Sequence, residues 1–238
     1  MLDVFADKYY LLLVAPAIAF SGFISMRMSS TLKKYSEVAS KKGLTGRDTA
    51  EQMLKLNNIS DVTIKPVAGS WSDHYGRGKS NDGKELKWIA LSEPVIDKNS
   101  ISAVAVAAHE AGHAIQYATR YRLMGMRSFI WPFSNIGSKF GPYIAMAGIV
   151  FGFGPLTDIG IFLFAGAVLF SLLTLPSELD ASSRALAILR DNGLLGKDEL
   201  AGAKKALGAA AMTYFAGLLT NCASFLRLIL LRNSRKKR

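Results

Sequence analysis

Long apolar runs dominate this 238-residue chain and restrict the folds that it can adopt. Residues 9–26 include eighteen consecutive residues without a charge, and 140–156, 159–175 and 206–231 are further apolar stretches. Eighteen apolar residues are close to the minimum that an α-helix needs to cross a bilayer's hydrocarbon core. Residues 27–127, in contrast, carry most of the charge. This distribution predicts membrane helices around a polar region.

The pattern predicts a mainly α-helical membrane protein with a small β-element, packed on about three to four transmembrane or interfacial helices. We expect an N-terminal transmembrane anchor at 1–26, a cytoplasmic region at 27–127, a transmembrane hairpin at 128–176, a cytoplasmic segment at 177–205, and a C-terminal membrane or interfacial helix with a basic tail at 206–238. A retained anchor is favoured over a signal peptide, because Asp3 and Asp7 precede the first run with only Lys8 as a basic residue.

The polar region alternates between helical and strand-like periodicities. DTAEQMLKLNN predicts a helix with Asp48 as its cap, whereas DVTIKPV and KWIALSEPV predict two strands. Gly, Ser and Asp residues predict a loop at 68–85, and a long helix should follow at 100–118. The second strand could be exposed and pair with an extended peptide, or it could be a buried core strand. Residues 154–158 predict the tight turn of the membrane hairpin.

Basic residues predict the orientation in the membrane. Residues 27–127 contain sixteen Lys and Arg residues, whereas 154–158 contain none. The positive-inside rule therefore places 27–127 and 177–205 in the cytoplasm and the N-terminus outside. A final spanning helix would export the basic tail RNSRKKR. The last segment could instead be re-entrant, or lie in the interface with its basic end at anionic lipid.

The net charge of +11 does not point to nucleic acid as a partner. No zinc knuckle, RNP-like signature or regular interleaving of basic and aromatic residues accompanies it. Basic residues beside apolar spans are better explained by membrane topology and by anionic headgroups, so the lipid bilayer is the expected partner. The single cysteine, Cys222, excludes an intrachain disulfide framework.

The string VAVAAHEAGHAIQYA at 104–118 carries the clearest chemical signal. His109 and His113 are four residues apart on the predicted helix and therefore share one face, with Glu110 next to the first histidine. Both imidazoles can reach one zinc ion while Glu110 reaches a water bound to it. Two incidental histidines are the alternative explanation. It is weakened because the chain has only three histidines and because this helix is apolar enough to be buried.

Catalytic zinc needs a third protein ligand, and LPSELDASSRAL offers two candidates. Glu178 and Asp180 diverge by about 200° on a helix, so only one of them is expected to be the ligand. Glu178 is favoured. Asp180 could instead complete a capping box that begins at Ser177, and Glu178 could be an ordinary acidic residue at a helix start.

Further polar residues are weaker candidates for the site. His74 could be a ligand, a transition-state donor or an ordinary loop residue. Tyr75, Tyr117 and Arg184 could stabilise an oxyanion. Residues of each of these three types are more often structural.

Three blocks, SDHYGRGKSNDGKELKWIALSEPV, SISAVAVAAHEAGHAIQYA and LPSELDASSRAL, resemble the YugP-like family of bacterial neutral zinc metallopeptidases, which are membrane-associated HExxH peptidases. The resemblance spans most of the chain. It implies His109 and His113 as zinc ligands, Glu110 as the catalytic residue and Glu178 as the third ligand. Related gluzincin-type membrane peptidases have an aspartate four residues after that glutamate, where this chain has Ser182. The supporting role of that aspartate would fall to Asp180 or be absent.

The leading hypothesis is a zinc-dependent membrane metalloendopeptidase with a zincin-like HExxH helix and one Zn²⁺ per chain. We expect it to cleave membrane or juxtamembrane polypeptides at the cytoplasmic side of the cell membrane, through a zinc-activated water with Glu110 as general base. A non-catalytic zinc-containing scaffold or chaperone-like membrane protein is the alternative. Structural zinc sites usually fill four positions with protein ligands, often cysteine, and Cys222 is far from the motif. A transporter is disfavoured because ionisable residues lie at or near the ends of the predicted spans.

Overall fold

The computed structural model describes residues 7–236, so residues 1–6 of the expected anchor, including Asp3, and residues 237–238 of the basic tail lie outside the described residues. The first helix opens with a π-helical turn at Tyr10–Val14. The helices are α1 (Ala15–Ser36), α2 (Gly46–Leu56), α3 (Ile101–Ala118), α4 (Arg122–Phe151), α5 (Gly154–Asp191) and α6 (Lys197–Lys236), and the strands are β1 (Val62–Val67), β2 (His74–Lys79) and β3 (Glu85–Ser92). The mainly helical architecture with a small β-element is confirmed.

The sheet has the strand order β1-β3-β2. Strand β3 lies in the centre, parallel to β1 and antiparallel to β2. The loop expected at 68–85 is therefore wrong, because this segment contains strand β2. Of the two alternatives for the second strand, the exposed strand is wrong, because β3 pairs on both of its sides and has no edge available for a peptide. The buried core strand is confirmed, because Ile89, Ala90 and Leu91 are buried.

The N-cap of helix α2 lies about one turn earlier than the sequence predicted. Thr45 is the N-cap, and its hydroxyl accepts the backbone N–H of Asp48, while the Asp48 carboxylate accepts the backbone N–H of Thr45. This is a capping box. Asp48 is thus the third helical residue rather than the cap itself.

The chain divides into two compact units, and the second consists of Arg27–Tyr121 and Glu178–Ala211. Helix α3 lies at the centre of this unit, and nearly every one of its residues is buried. It begins after Ser100, whose hydroxyl accepts the N–H of Ala103, and the helix predicted at 100–118 is confirmed. Its neighbours in the hydrophobic core include Met53 of α2 and Ile89 and Leu91 of β3, all of them completely buried. Helix α3 is therefore packed against both α2 and β3.

The first unit contains the described parts of Met1–Met26, Arg122–Ser177 and Met212–Arg238. Within it, α4 and α5 pack antiparallel at close range, because Gly137 and Gly160 lie against backbone atoms of Leu163 and Ala145. The turn of this hairpin differs from the prediction. Helix α4 ends at Phe151, and the next residue, Gly152, has a φ of +71°, which suits glycine. The expected turn residues 154–158 already belong to α5.

Helix α6 packs antiparallel to α1 inside the first unit. The Thr220 hydroxyl donates to the carbonyl of Ala17, and Arg227 donates to the Asp7 carboxylate at 2.6 and 2.9 Å. Three helices of the described part are long and apolar enough to cross a membrane, namely Tyr10–Ser36, Gly154–Asp191 and Lys197–Ser234. Because α6 runs without interruption, it contains no break of the kind that a re-entrant segment needs.

Helix α5 also continues without a break through Pro176 and Ser177. The sequence suggested that a helix begins at Ser177, with Asp180 as part of a capping box or Glu178 as a helix-start residue. Those alternatives are wrong, because both acidic residues lie in the interior of a 38-residue helix. Their side chains contact other residues instead, Glu178 the two histidines of α3 and Asp180 the guanidinium of Arg184.

Candidate metal centre

The two histidines of helix α3 lie one helical turn apart and face the same side. Their ring centroids are 4.7 Å apart, and the ring planes are nearly perpendicular at 82°. His113 is buried, with 7% of its surface exposed, and His109 is half-buried. The i, i+4 spacing thus has the geometric result that the sequence predicted.

Glu178 of α5 completes a cluster with these histidines. Its Oε2 atom lies 3.1 Å from Nε2 of His109 and 3.3 Å from Nε2 of His113. One ligand atom from each residue lies within 4.8 Å of the other two. Glu178 is only 2% exposed, so its buried carboxylate lies beside the two imidazoles with little access to solvent.

Gly112 allows Glu178 to approach both histidines. It lies between the two histidines on α3, directly against the backbone of Ala181 on α5. The contact brings the α5 backbone close enough for Glu178, less than one turn away, to reach both imidazoles. The short HEAGH motif therefore carries a packing requirement in addition to its ligands.

Electrostatics at the cluster favour positive charge. Burial disfavours protonation of His113, yet the hydrogen bond to Glu178 and the charges of Glu110 and Glu178 outweigh burial and raise the pKa of the imidazole. A site that draws a proton to a buried histidine also stabilises a metal cation in its place.

Glu110 points to the edge of strand β2. Its Oε2 atom accepts the backbone N–H of Tyr75 at 2.7 Å, and the residue is 7% exposed. The start of β2 is itself fixed, because Asp73 accepts the backbone N–H and the hydroxyl of Ser92 at 2.7 and 2.8 Å. Burial raises the pKa of the Asp73 carboxyl despite these bonds. The orientation of Glu110 thus depends on an anchored strand.

The other candidates from the sequence do not join the cluster. His74 is exposed, and its Nδ1 contacts the carbonyl of Ser72. Tyr117 donates its hydroxyl to Glu85. The Tyr75 side chain packs against the hydrophobic core, where burial raises the pKa of its hydroxyl. The backbone N–H of Tyr75 donates to Glu110. Arg184 donates to Asp180 instead of facing the histidines.

Gln116, Asp180 and Ser182 surround the far side of the histidines. The Ser182 hydroxyl lies 3.0 Å from Nδ1 of His109, and Oε1 of Gln116 lies 2.9 Å from Nδ1 of His113. Gln116 also donates to Asp180 at 2.7 Å. Gln116 was not among the sequence candidates. Its position three residues after His113 on the same helical face was the available signal.

The donor set fits zinc. Imidazole nitrogen and carboxylate oxygen are both ordinary zinc ligands, and two histidines with one glutamate form a known catalytic combination. Because both Nδ1 atoms contact protein groups, the Nε2 atoms remain directed at the space beside Glu178. A metal ion there would be held by His109, His113 and Glu178.

Comparisons with known proteins agree with this site. A family model described as "Putative neutral zinc metallopeptidase" matches residues 10–233. The chain is 37% identical over 222 residues to a Bacillus subtilis protein named "Putative membrane protease YugP", covering 93% of this chain and 96% of that protein. No solved structure matches the chain.

Proposed function

The chain belongs to the neutral zinc metallopeptidase family, and from this membership we propose that it is a membrane metalloendopeptidase with a zincin-like active site on helix α3. One Zn²⁺ per chain is held by His109, His113 and Glu178, and Glu110 is the general base. The substrates are polypeptides, namely membrane proteins or their juxtamembrane segments.

The convergence of His109, His113 and Glu178 carries the proposal. Within residues 7–236, this is the one cluster in which three or more His, Cys, Asp or Glu side chains come close enough to hold a metal. Three protein ligands leave a coordination position for water, as catalytic zinc sites do, whereas structural sites commonly fill all four with protein. The donor set therefore favours an enzyme over a zinc-containing scaffold.

Each residue has a separable role in peptide hydrolysis. When bound, zinc supplies a Lewis acid that polarises the scissile carbonyl and lowers the pKa of water. Glu110 accepts the proton of the attacking water and later returns a proton to the leaving amine. The Tyr75 N–H holds the Glu110 carboxylate in place for this transfer, so the general base is oriented before substrate arrives.

Strand β2 offers a docking edge for an extended peptide. Its partner β3 lies on one side, and the N–H of Tyr75 points to the other side, toward Glu110. Residues two apart on an antiparallel strand present their backbone groups to the same edge, so Arg77 shares this direction. A peptide that pairs with this edge would run past the general base.

Placement in the membrane follows from the apolar helices and their contacts. Asp7 pairs with Arg227, and Asp158 pairs with Arg232, so the start of α1, the start of α5 and the end of α6 lie together within the first unit. Large apolar side chains of this unit are exposed, for example Phe162 at 78%, as lipid contact requires. We propose a multi-pass cell-membrane protein with residues 27–121 and 178–205 on the cytoplasmic side, where their basic residues are favoured.

The test is zinc content together with peptide cleavage, measured on detergent-purified protein. Wild type should hold about one zinc per chain and cleave casein or a membrane-protein substrate. Glu110→Gln should keep the metal and lose cleavage by about 10²- to 10⁴-fold, because the amide cannot accept the proton. Glu178→Ala and His109→Ala should lose both. Glu51→Gln, an exposed residue of α2, is the matched control.

Three results would contradict the proposal. Undiminished cleavage by Glu110→Gln would remove Glu110 from the mechanism. Stoichiometric zinc in Glu178→Ala would move the third ligand to another residue, whereas wild-type protein that holds no zinc would end the enzyme hypothesis.

A further inference from the structure

An open groove lies between helices α5 and α6 inside the second unit. Its volume is about 580 Å³, which is in the range of sites that hold small molecules. One wall is formed by α5 from Leu179 to Arg190, and the other by α6 from Leu200 to Ala211. On each helix the lining positions recur three or four residues apart, so each wall is one continuous helical face. The groove is therefore elongated along both helices.

The two ends of the groove differ in polarity. At one end, Leu179 lies four residues after the apolar run 159–175, and Ala211 belongs to the apolar stretch 206–231. Arg190 lines the other end, and Lys204 lies seven residues before Ala211 on α6, which is about 10 Å along a helix. An apolar end beside apolar runs and a cationic end away from them match the polarity of a phospholipid.

The charge of the groove is positive and only partly balanced. None of the residues that line it is acidic. Arg190 donates to Asp191 at 2.7 Å, so part of its charge is compensated. Lys204 is exposed and forms no ion pair with any residue of the described range 7–236. Its ammonium group is therefore available to an anionic ligand.

The middle of the groove is apolar and has space for a hydrocarbon chain. Leu186 and Ala187 lie on the α5 side, and Gly208 lies on the α6 side. A β-carbon on Gly208 would meet no heavy atom within 4 Å. Hydrocarbon that enters this space leaves water, and each buried methylene group is favourable.

We propose that this groove binds an anionic phospholipid, with an acyl chain along Leu179 and Gly208 and the phosphate at Lys204 and Arg190. Basic pockets between membrane helices bind anionic headgroups in other proteins. The inference rests on the proposed placement in the membrane and is independent of zinc and of peptide cleavage. Ser182 lines the groove and also contacts His109, so the lipid would lie directly beside the metal cluster.

The headgroup is tested with dioleoylphosphatidylglycerol added to detergent-purified protein, and native mass spectrometry counts the bound lipid over a titration. Lys204→Gln should weaken binding about fivefold, the usual contribution of one lysine at an anionic lipid surface. Lys205→Gln is the matched control, because it removes the same charge at an exposed neighbour that does not line the groove. Dioleoylphosphatidylcholine should bind wild type at least about fivefold more weakly than phosphatidylglycerol.

The acyl chain is tested by filling the groove. Gly208→Leu should weaken phosphatidylglycerol binding at least about tenfold, because two displaced methylene groups cost about fourfold each. Gly217→Leu is the matched control, since a β-carbon on this second glycine of α6 also meets no heavy atom within 4 Å. Leucine favours helix over glycine in both variants. Thermal unfolding in detergent should confirm that both are folded.

Several results would overturn the inference. Equal lipid affinity in Lys204→Gln and Lys205→Gln, or wild-type affinity in Gly208→Leu, would place the lipid elsewhere. Displacement of the lipid by inorganic phosphate at the same concentration would assign the cations to a free anion. A dimer that only Gly208→Leu abolishes would assign the groove to a second copy of the chain. A higher KM for casein in Gly208→Leu, with lipid binding unchanged, would assign it to the substrate.

Discussion

A β-carbon on Gly112 would lie 2.6 Å from the carbonyl oxygen of Ala181. Helix α3 and helix α5 therefore approach each other more closely than any side chain at this position permits. Glu178 and Ser182 stand on either side of Ala181 along α5, and both contact His109. The approach of two backbones, more than the reach of long side chains, sets the dimensions of the metal cluster.

Gly112→Ala should weaken zinc binding although the ligands are unchanged. The methyl group must push α5 away, and Glu178 moves with it. We expect at least about a tenfold loss of zinc affinity, which is about 1.4 kcal/mol, measured by chelator competition. Gly208→Ala on α6 is the matched control, because a β-carbon there meets no heavy atom within 4 Å. Equal zinc affinity in both variants would show that the contact can relax without effect on the site.

Arg77→Pro should impair binding of peptide substrates. Proline removes the N–H that we expect at the outer edge of β2, and proline is tolerated where that group does not pair with the sheet. The Arg77 side chain also contacts Glu85 and the Tyr117 ring, so the reference is Arg77→Ala, which loses these contacts and keeps the N–H. We expect about a fivefold lower kcat/KM for proline relative to alanine, corresponding to one backbone hydrogen bond of about 1 kcal/mol. Equal kcat/KM values for the two variants would place the substrate elsewhere.

Asp7→Asn should destabilise the first unit. The amide can still accept the N–H groups of Tyr9 and Tyr10, which Asp7 accepts at 2.9 and 3.0 Å. It cannot balance the charge of Arg227, whose side chain is only 13% exposed. We expect a loss of about 3 kcal/mol in the free energy of unfolding, and recovery in Asp7→Asn/Arg227→Met, measured by denaturation in detergent. A double variant as unstable as the single one would indicate that the charge balance contributes little.

Asp48→Ala should show a stability effect that depends on pH. The hydrogen bond from the Thr45 hydroxyl, followed by the Thr45 N–H, lowers the pKa of the Asp48 carboxyl. A lowered carboxyl pKa means that the stabilisation is complete above the unfolded value of about 3.9 and is lost as pH falls through the folded value. Thermal unfolding should show a deficit of about 1 kcal/mol at pH 7. The deficit should shrink in acid, and Glu51→Ala should show no such deficit at either pH.

The sequence predicted the central helix and the shared face of its two histidines because these signals are local. Ser100, the alanine-rich face and the four-residue spacing of His109 and His113 all lie within one helix. The sheet was harder, since HYGRGK resembles a loop. A β-carbon on Gly76 would overlap the Trp88 ring on the neighbouring strand. Glycine at this position therefore leaves space for an aromatic side chain of β3. This packing requirement becomes visible only when the pairing of β2 with β3 is known.

The surroundings of the metal cluster depend on contacts between distant segments. Ser177 predicted the start of a helix, because it could begin a capping box with Asp180, yet α5 continues through this position. The contact of Gln116 with Asp180 could not be predicted from the local pattern, because the two residues are 64 positions apart in the chain. The relation of Ser182 to His109 likewise requires the packing of α5 on α3. The local pattern thus indicated the residues of the metal cluster better than it indicated their hydrogen-bond partners.

The buried face of α3 consists largely of alanine, with Ala103, Ala105, Ala107, Ala108 and Ala111 all completely inaccessible. Side chains this small leave no volume that a larger residue could occupy without displacing a neighbouring element. A systematic substitution survey of this chain should therefore find α3 intolerant along its whole length. We expect substitutions of the buried alanines to impair folding, because a larger side chain does not fit. Substitutions of His109, Glu110 or His113 should instead impair metal binding or catalysis. Measuring both metal binding and folding of each variant separates these two causes.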